Sequence, residues 1–502
     1  MLPLAKTSPL ALRAGASLLG VLPAVLLTAV LADTRLGAQC PAAAAGLATE
    51  LHCVEHNLPS APGEELDPTH AYTLSELIDL AESSHPATRM AWLEARAAAE
   101  RVGLARSEYL PHLAGMATFL NQKFINPFPK PYAPQGYTMV EMPVAEAGLG
   151  VGYTLLDFGR RHAKLESARA GALAEAAHFQ RENQTVAFGV ITAYYHLTDA
   201  EQKLAARQQI LQTAQTIQSA AEAQLANGRA TLPDVLDARA GTARADFELE
   251  QAVGEEQSAR VALRESVGVR PSDQIRIAPV AEAGTGAGQV ATAGQLVDEA
   301  LKTRPDLAGL TERIHAAEAV TAGSRSAYLP TVEFSAKGAS QSIWPTVSTD
   351  YGWLLTNTTQ FVWQAGVSVR WDLFDGGARR SELATARDEQ RKAEQQRREA
   401  ADAITRATWT AWVDYRTAER REKAAAALFT AADSSYKASL EAYNYGVKNL
   451  IDLVHAEQQL AEARLATVEA RSALETATAN LGYTTGNLLR TPAAAGTEAD
   501  RH

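Results

Sequence analysis

Few residues in this chain are placed to do covalent chemistry. Cys40 and Cys53 are its only cysteines. In an oxidising compartment they could pair, although spacing alone does not decide it. Cys40 would also be the acylated residue of a lipoprotein, but Gln39 stands where a lipid-attachment motif needs a small side chain. The run His52-Cys53-Val54-Glu55-His56 crowds metal-ligand types into one short stretch. It matches no standard zinc spacing and reads instead as a polar piece of an irregular segment. No G-x-x-x-x-G-K-[ST] loop is present to hold a nucleoside triphosphate, and no Ser/His/Asp or metal constellation stands out. The sequence therefore predicts no enzyme, no catalytic or metal-binding residue and no cofactor.

What the chain offers instead is repetition. Tyr109-Leu110-Pro111 returns as Tyr328-Leu329-Pro330, and His85-Pro86 as Arg304-Pro305, both at an offset of 219. Downstream, Gly228 matches Gly446, Asp234 matches Asp452, Ala238 matches Ala456 and Gly268 matches Gly486, all at 218. An offset that drifts by so little over a whole copy marks duplication. A repeat this long is not a solenoid unit, so each half is a complete structural module.

Composition bounds what the modules are. Ala is abundant and aromatics are 6% of 502 residues, which suits long helices better than a thick aromatic core. A formal charge of −11 and a pI near 5.6 exclude a nucleic-acid partner, which needs a basic face. Lys6 and Arg13 precede an apolar stretch over 16–31 that Pro23 interrupts. This reads as an export signal over 1–38, with Val30-Leu31-Ala32 or Leu36-Gly37-Ala38 before the cleavage site. The alternative, a membrane anchor, needs about 20 apolar residues. No later segment approaches that length, so any membrane crossing must use β-strands.

Residues 39–71 carry no periodicity and read as an irregular lead-in. Over 73–107 the pattern turns helical: Leu74, Leu77, Ile78 and Ala81 share a face, and Thr73 with Glu76 forms a capping box. Pro111 closes it. The second half repeats this over 295–327, closed by Leu329-Pro330. Two stretches of period two follow in each half. Phe361, Trp363, Ala365, Val367, Val369, Trp371 and Leu373 alternate with smaller or polar residues, as do Ala147, Leu149, Val151, Tyr153 and Leu155 with glycines. Partner strands fall near 113–125 and 332–343, with connecting loops at 126–131 and 345–359. An apolar face with terminal aromatics opposite a small polar face is the pattern of an outer-membrane barrel strand. A soluble antiparallel sheet shows the same alternation, and the export signal favours the membrane.

After Asp157-Phe158-Gly159-Arg160-Arg161 and Asp375-Gly376-Gly377-Ala378-Arg379-Arg380, no proline appears until Pro233 and Pro492. The first run, over 160–227, would extend about 100 Å as one helix. Val186, Val190, Tyr194, Leu197 and Leu204 mark an apolar stripe; Ile404, Thr408, Trp412 and Tyr415 mark its counterpart. Most remaining positions are Ala or charged, so helices can approach closely along a thin coiled-coil seam. Gly228 and Gly446 suit the left-handed positions that end these helices, and Thr231 with Pro233 starts a return helix about half as long.

Four strands per chain are too few, since about eight close the smallest bacterial barrel, and an open sheet in lipid leaves backbone groups unsatisfied. Closure requires several chains, and three would supply twelve strands. Helices of this length exceed a membrane and must project into an aqueous compartment.

The order helix, two strands, long helix, glycine turn, helix, duplicated, resembles the TolC family of outer-membrane efflux channels over about 72–488. The marks that carry it are Tyr109-Leu110-Pro111, Leu373-Phe374-Asp375-Gly376-Gly377, and Gly446 with Asp452 and Ala456, together with their first-half equivalents. The resemblance implies a mainly α fold with a membrane β part. In it a homotrimer forms a twelve-strand barrel continued by a long periplasmic α-helical barrel. It divides the chain into a signal (1–38), a lead-in (39–71), a first repeat (72–270), a linker (271–291), a second repeat (292–488) and a C-terminal tail (489–502). It implies a passive exit duct in the outer membrane for efflux or type I secretion. The partners would be a periplasmic adaptor, an inner-membrane pump of RND, ABC or MFS type, and outer-membrane lipid. It places Asp452 and His455 at the channel entrance, where the family's best-known member has two aspartates. Tyr443 and Lys448 become gate links to Asp234, with Asp237 nearby, and Gly228 and Gly446 mark the hairpin turns.

Two rivals make different demands. A periplasmic adaptor requires a lipoyl-like or β-barrel domain flanking one hairpin. A structural coiled-coil envelope protein leaves the alternating residues from Phe361 to Leu373 without a purpose.

Overall fold

In the computed structural model the described residues are 70–130, 133–228, 230–270, 275–278, 291–347, 357–445 and 447–488. The expected signal, Cys40, Cys53, the 52–56 stretch, Gly446 and most of the 345–359 loop lie outside them. So do most of the lead-in and of the linker, and the whole of the tail.

Chain order repeats itself. The first half runs β1 (Ala71–Tyr72), α1 (Leu74–Ser84), α2 (Pro86–Ser107), β2 (His112–Pro127), β3 (Tyr137–Leu156), α3 (Arg160–Ala226) and α4 (Leu232–Val267). After β4 (Arg276–Ile277) come α5 (Ala293–Thr303), α6 (Pro305–Ser326), β5 (Thr331–Ile343), β6 (Thr346–Val347), β7 (Thr358–Arg370), α7 (Ala378–Asn444) and α8 (Leu450–Thr485). Each half spends 11, 22, 67 and 36 residues on its four helices, in that order.

The sequence suggests one helical stretch over 73–107, but the chain breaks it. His85 is extended (φ −69°, ψ 130°) because the following Pro86 crowds the helical region, and Arg304 before Pro305 does the same (φ −69°, ψ 123°). His85 then caps α2, its Nδ1 accepting the Ala87 N–H at 3.2 Å. The Thr73–Glu76 capping box forms as expected, and Thr292 with Gln295 forms another at the start of α5. The strands are longer than the alternation indicates. β3 starts at Tyr137, ten residues before the first expected apolar position, because Glu141 and Pro143 mask the pattern there.

β2, β3, β5 and β7 form one antiparallel sheet in that order, with β6 paired to β3. β2 and β7 are its two edges. Register aligns like with like: Leu149 pairs with Gly338 and Gly338 with Trp363, while Phe334 pairs with Val367 and Val332 with Val369. On the other face Gly366 pairs with Ser335, Gln364 with Lys337 and Ser368 with Glu333. Gly148 permits the close approach of β3 and β5, since a Cβ there would meet the Gly338 carbonyl oxygen at 2.3 Å.

The long helices pack through alanine at strict seven-residue intervals. Ala238, Ala245, Ala252 and Ala259 are buried in α4; Ala456, Ala463, Ala470 and Ala477 in α8; Ala411, Ala418, Ala425 and Ala432 in α7. A seven-residue period imposes a left-handed supercoil, and alanine lets the backbones come close. The thickest core lies where α1 crosses the hairpin: Leu77 and Ala81 pack with Val186, Val190, Tyr194 and Leu197 of α3 and with Leu263 and Val267 of α4. The second half has a smaller equivalent in Ala300, Leu307 and Ile404. Its deficit in apolar contact is offset by polar ties to the end of α8. Arg304 donates to the Thr484 carbonyl at 3.2 Å and pairs with Asp306. Burial works against the Asp306 charge, but Arg304 and Arg181 outweigh it and hold the carboxyl below its usual range.

Candidate channel wall and entrance

The sheet presents two chemically different walls. On one face Leu113, Phe119, Leu149, Phe361, Trp363, Val367 and Val369 are all exposed. Exposed large apolar side chains spread along one sheet face suit hydrocarbon, not water. The opposite face carries Gly148, Gly150, Gln341, Gln364 and Ser368 by strand alternation, and Lys337 forms an ion pair with Glu146 there.

A compact joint connects this sheet to the helices. Asp157 accepts the N–H groups of Gly159 (3.3 Å) and Arg161 (2.8 Å) and the Arg161 Nε (3.0 Å). The Arg161 guanidinium then lies over the Tyr109 ring, 5.0 Å from its centre, and donates to the Glu108 carbonyl at 3.3 Å. The second half reproduces this: Asp375 accepts from Gly377 (3.0 Å), Arg379 N (3.0 Å) and Arg379 Nε (2.7 Å), and Arg379 lies over Tyr328 at 5.3 Å. Gly159 and Gly377 (φ 95° and 91°) make the turn. The repeated Tyr-Leu-Pro and Asp-x-Gly-x-Arg motifs are thus two sides of one joint. Burial opposes the Asp157 charge, but these hydrogen bonds and Arg161 hold its carboxyl below the ordinary range.

At the far end of the helices the hairpins turn. Gly228 has φ 70° and its N–H reaches the Leu225 carbonyl at 2.9 Å, as expected of a left-handed stop. Thr231 N and Oγ1 both donate to Asp234, at 2.8 and 2.7 Å, and these bonds lower the Asp234 pKa. In the second hairpin Asn449 caps α8 by accepting the Asp452 N–H at 2.8 Å, which leaves the Asp452 carboxylate uninvolved in the cap. Asp452 and His455 are both exposed, and with Gln459 and Glu462 they follow the helical repeat along one polar stripe of α8.

An apolar cluster joins the two hairpin tips: Ile217, Ala221, Val235 and Ala238 from one, Tyr443, Leu450 and Leu453 from the other. It brings Tyr443 near Asp234. Burial, then the Asp234 charge, raises the Tyr443 pKa. The buried Tyr443 Oη has no hydrogen-bond partner among the described residues. Lys448 goes elsewhere than the sequence reading expects. Its Nζ donates to Ser439 Oγ of its own hairpin at 3.1 Å, not to Asp234. Ser439 occupies the next seven-residue position after Ala432, so a seam residue has become an acceptor. Sequence reading overlooked this contact because a serine in an alanine register looks like one more small residue.

The family model for outer membrane efflux proteins matches residues 77–269 and 296–487, once in each half. The chain belongs to the outer membrane efflux protein family. Protein CyaE of Bordetella pertussis (strain Tohama I) is 28% identical to it over 406 residues, covering 80% of this chain and 81% of CyaE. In fold it is similar to the Campylobacter jejuni outer membrane channel CmeC, with a TM-score of 0.70 at 17% identity over 83% of this chain and 86% of CmeC. The outer membrane protein VceC of Vibrio cholerae gives a TM-score of 0.67 at 20% identity, over 82% and 96% of the two chains. The efflux channel therefore lies in the outer membrane, and its long helices extend into the periplasm.

Proposed function

We propose that this efflux channel works as a homotrimer, a passive exit duct fed by an inner-membrane pump through a periplasmic adaptor. The observation that carries the trimer is the open sheet whose edge strands, β2 and β7, have no outer partner among the described residues. In lipid those edges must be satisfied by other copies, and three copies give twelve strands, a number within the range of closed bacterial barrels. The lack of any nucleotide-binding loop in the sequence supports a passive role, with the energy supplied by the partner pump.

At the entrance, threefold symmetry would bring three Asp452 carboxylates together, with three His455 imidazoles one turn further along. Such a ring prefers cations. Asp234 and Tyr443, neighbours in the tip cluster, would hold the hairpins together, while Lys448 would act through Ser439 to brace its own turn. Fractionated membranes run on an unheated gel test the assembly: an outer-membrane trimer is expected, and a soluble monomer overturns it. Single-channel recording tests the entrance. Asp452→Asn should reduce cation preference, and Asp234→Ala or Lys448→Ala should raise conductance. An anion-preferring wild-type pore would remove Asp452 from the entrance.

A further inference from the structure

The seam where the two hairpins of one chain meet, α3 against α8, changes character along its length. At the end nearer the membrane it is tied by hydrogen bonds: Arg181 donates to the Tyr483 carbonyl at 3.1 Å and Gln184 to the Gly486 carbonyl at 3.1 Å. The Arg181 guanidinium also lies 3.8 Å from the centre of the Tyr483 ring. Further down α3, Lys203 bridges Asp199 at 3.1 Å and Glu469 of α8 at 3.3 Å. Closer still to the turns, these ties give way to a cavity of about 380 Å³ between α3, α4 and α8.

The cavity holds an unbalanced set of charges. Glu248 of α4 takes both arginines there, Arg207 of α3 and Arg244 of its own helix, the latter at 3.2 Å. Glu457 of α8 faces this already occupied carboxylate, and no hydrogen bond or ion pair is made to it among the described residues. Burial lifts its carboxyl above the ordinary range; Arg464 on its own helix pulls it down and Glu248 pushes it up. Tyr436 of α7 also feels it, raised first by burial and then by Glu457. Asp237 and Glu462 complete the acidic lining. Beyond the cavity, the apolar tip cluster again holds the two hairpins together.

We propose that Glu457 is a proton-operated spreader of the two hairpins. Ionised, it repels Glu248 across the seam and favours parting of the tips; protonated, it lets the seam close. The proposal rests on the channel reading, because it makes the seam the moving part of the entrance. The sign follows from burial: the closed seam binds the proton more tightly than the open one, so falling pH closes the pore. Asp452 and His455 lie on the exposed stripe of α8 and act on what passes, not on the seam.

The test is open probability in planar bilayers as a function of pH, using the full chain purified from outer membranes, in a His455→Gln background that removes the imidazole. Open probability should fall as pH drops toward the ordinary glutamate value of 4.5, beginning above it. A roughly tenfold fall corresponds to a difference of one unit between the closed and open seams. Glu457→Gln should show the acid value at every pH. Glu248→Gln frees Arg207 and Arg244 to neutralise Glu457, so the step should move to lower pH. A Glu457→Gln pore whose pH profile matches its parent, or which opens more, overturns the proposal. Should Glu457→Gln fail to assemble on an unheated gel, Glu248→Gln decides alone, and an unmoved step overturns it. A wild-type protein that forms no pores at any pH would instead refute the channel reading itself.

Discussion

Asp157 concentrates the logic of this chain in one side chain. It ends β3, starts α3 and orients Arg161 onto Tyr109. Because its carboxyl is held below the ordinary range, its contribution to stability is present at neutral pH and lost as pH falls through that lowered value. Asp157→Asn leaves the Arg161 guanidinium and two backbone donors poorly satisfied, a loss of about 1–3 kcal/mol. Thermal melts in detergent should show a lower Tm at neutral pH and a smaller further drop in acid than the parent. A parent-like pH profile would mean that the joint does not depend on that charge. The motifs that make this joint were visible in the sequence as duplicated letters. Their meaning was not, because Tyr109 and Arg161 are separated by two strands and only the fold brings them together. Lys448 shows a different gap: its contact with Ser439 of the same hairpin is one that no motif in the sequence announces.

Single elements carry their own lesson. Strand alternation told the two faces of β7 apart, because a period of two is a local property of the backbone. Placing arginine at Val367 or Val369, on the exposed apolar face, should cost about 2–4 kcal/mol near the membrane midplane. Arginine at Gly366 or Ser368, on the opposite face, should cost little beyond local fit. Outer-membrane trimer levels measure this, and equal loss at both pairs would refute the facing. Strand ends were harder to read. Glu141 and Pro143 interrupt the apolar pattern of β3, yet pairing with β2 extends it to Tyr137. The proline breaks at His85 and Arg304 were legible as motifs but were not applied to the helices they divide. At the start of α6, Asp306→Asn removes the carboxylate that Arg181 and Arg304 share. Leaving these two largely enclosed cations without their shared carboxylate should cost about 3 kcal/mol, read as a lower melting temperature.

For the whole molecule, duplication made the architecture legible before any coordinate was known. The halves agree residue for residue in helix length, even where the packing differs between the large core around Tyr194 and the smaller one around Ile404. What the sequence could not show is how the halves press on each other. The tip cluster, the Lys203 bridge and the Glu457 cavity all lie between helices from different copies of the repeat. Contacts of that kind leave no periodic trace, since each partner looks like an ordinary helix-surface residue.

The matched helices also act as a ruler. With 67 residues down and 36 back in each half, both hairpins turn at the same depth, so the turning points of one chain are level. Length can then change only in concert. Removing seven residues from each arm of both hairpins keeps every alanine in register and shortens the molecule by about 10 Å. Removing seven from one hairpin alone leaves a step at the rim, and removing any other number turns charged residues into the seam. A molecule trimmed equally in all four arms should still assemble on an unheated gel yet fail to export in a cell whose periplasmic spacing is unchanged. One trimmed on a single side should lose a smooth end against which anything could seal.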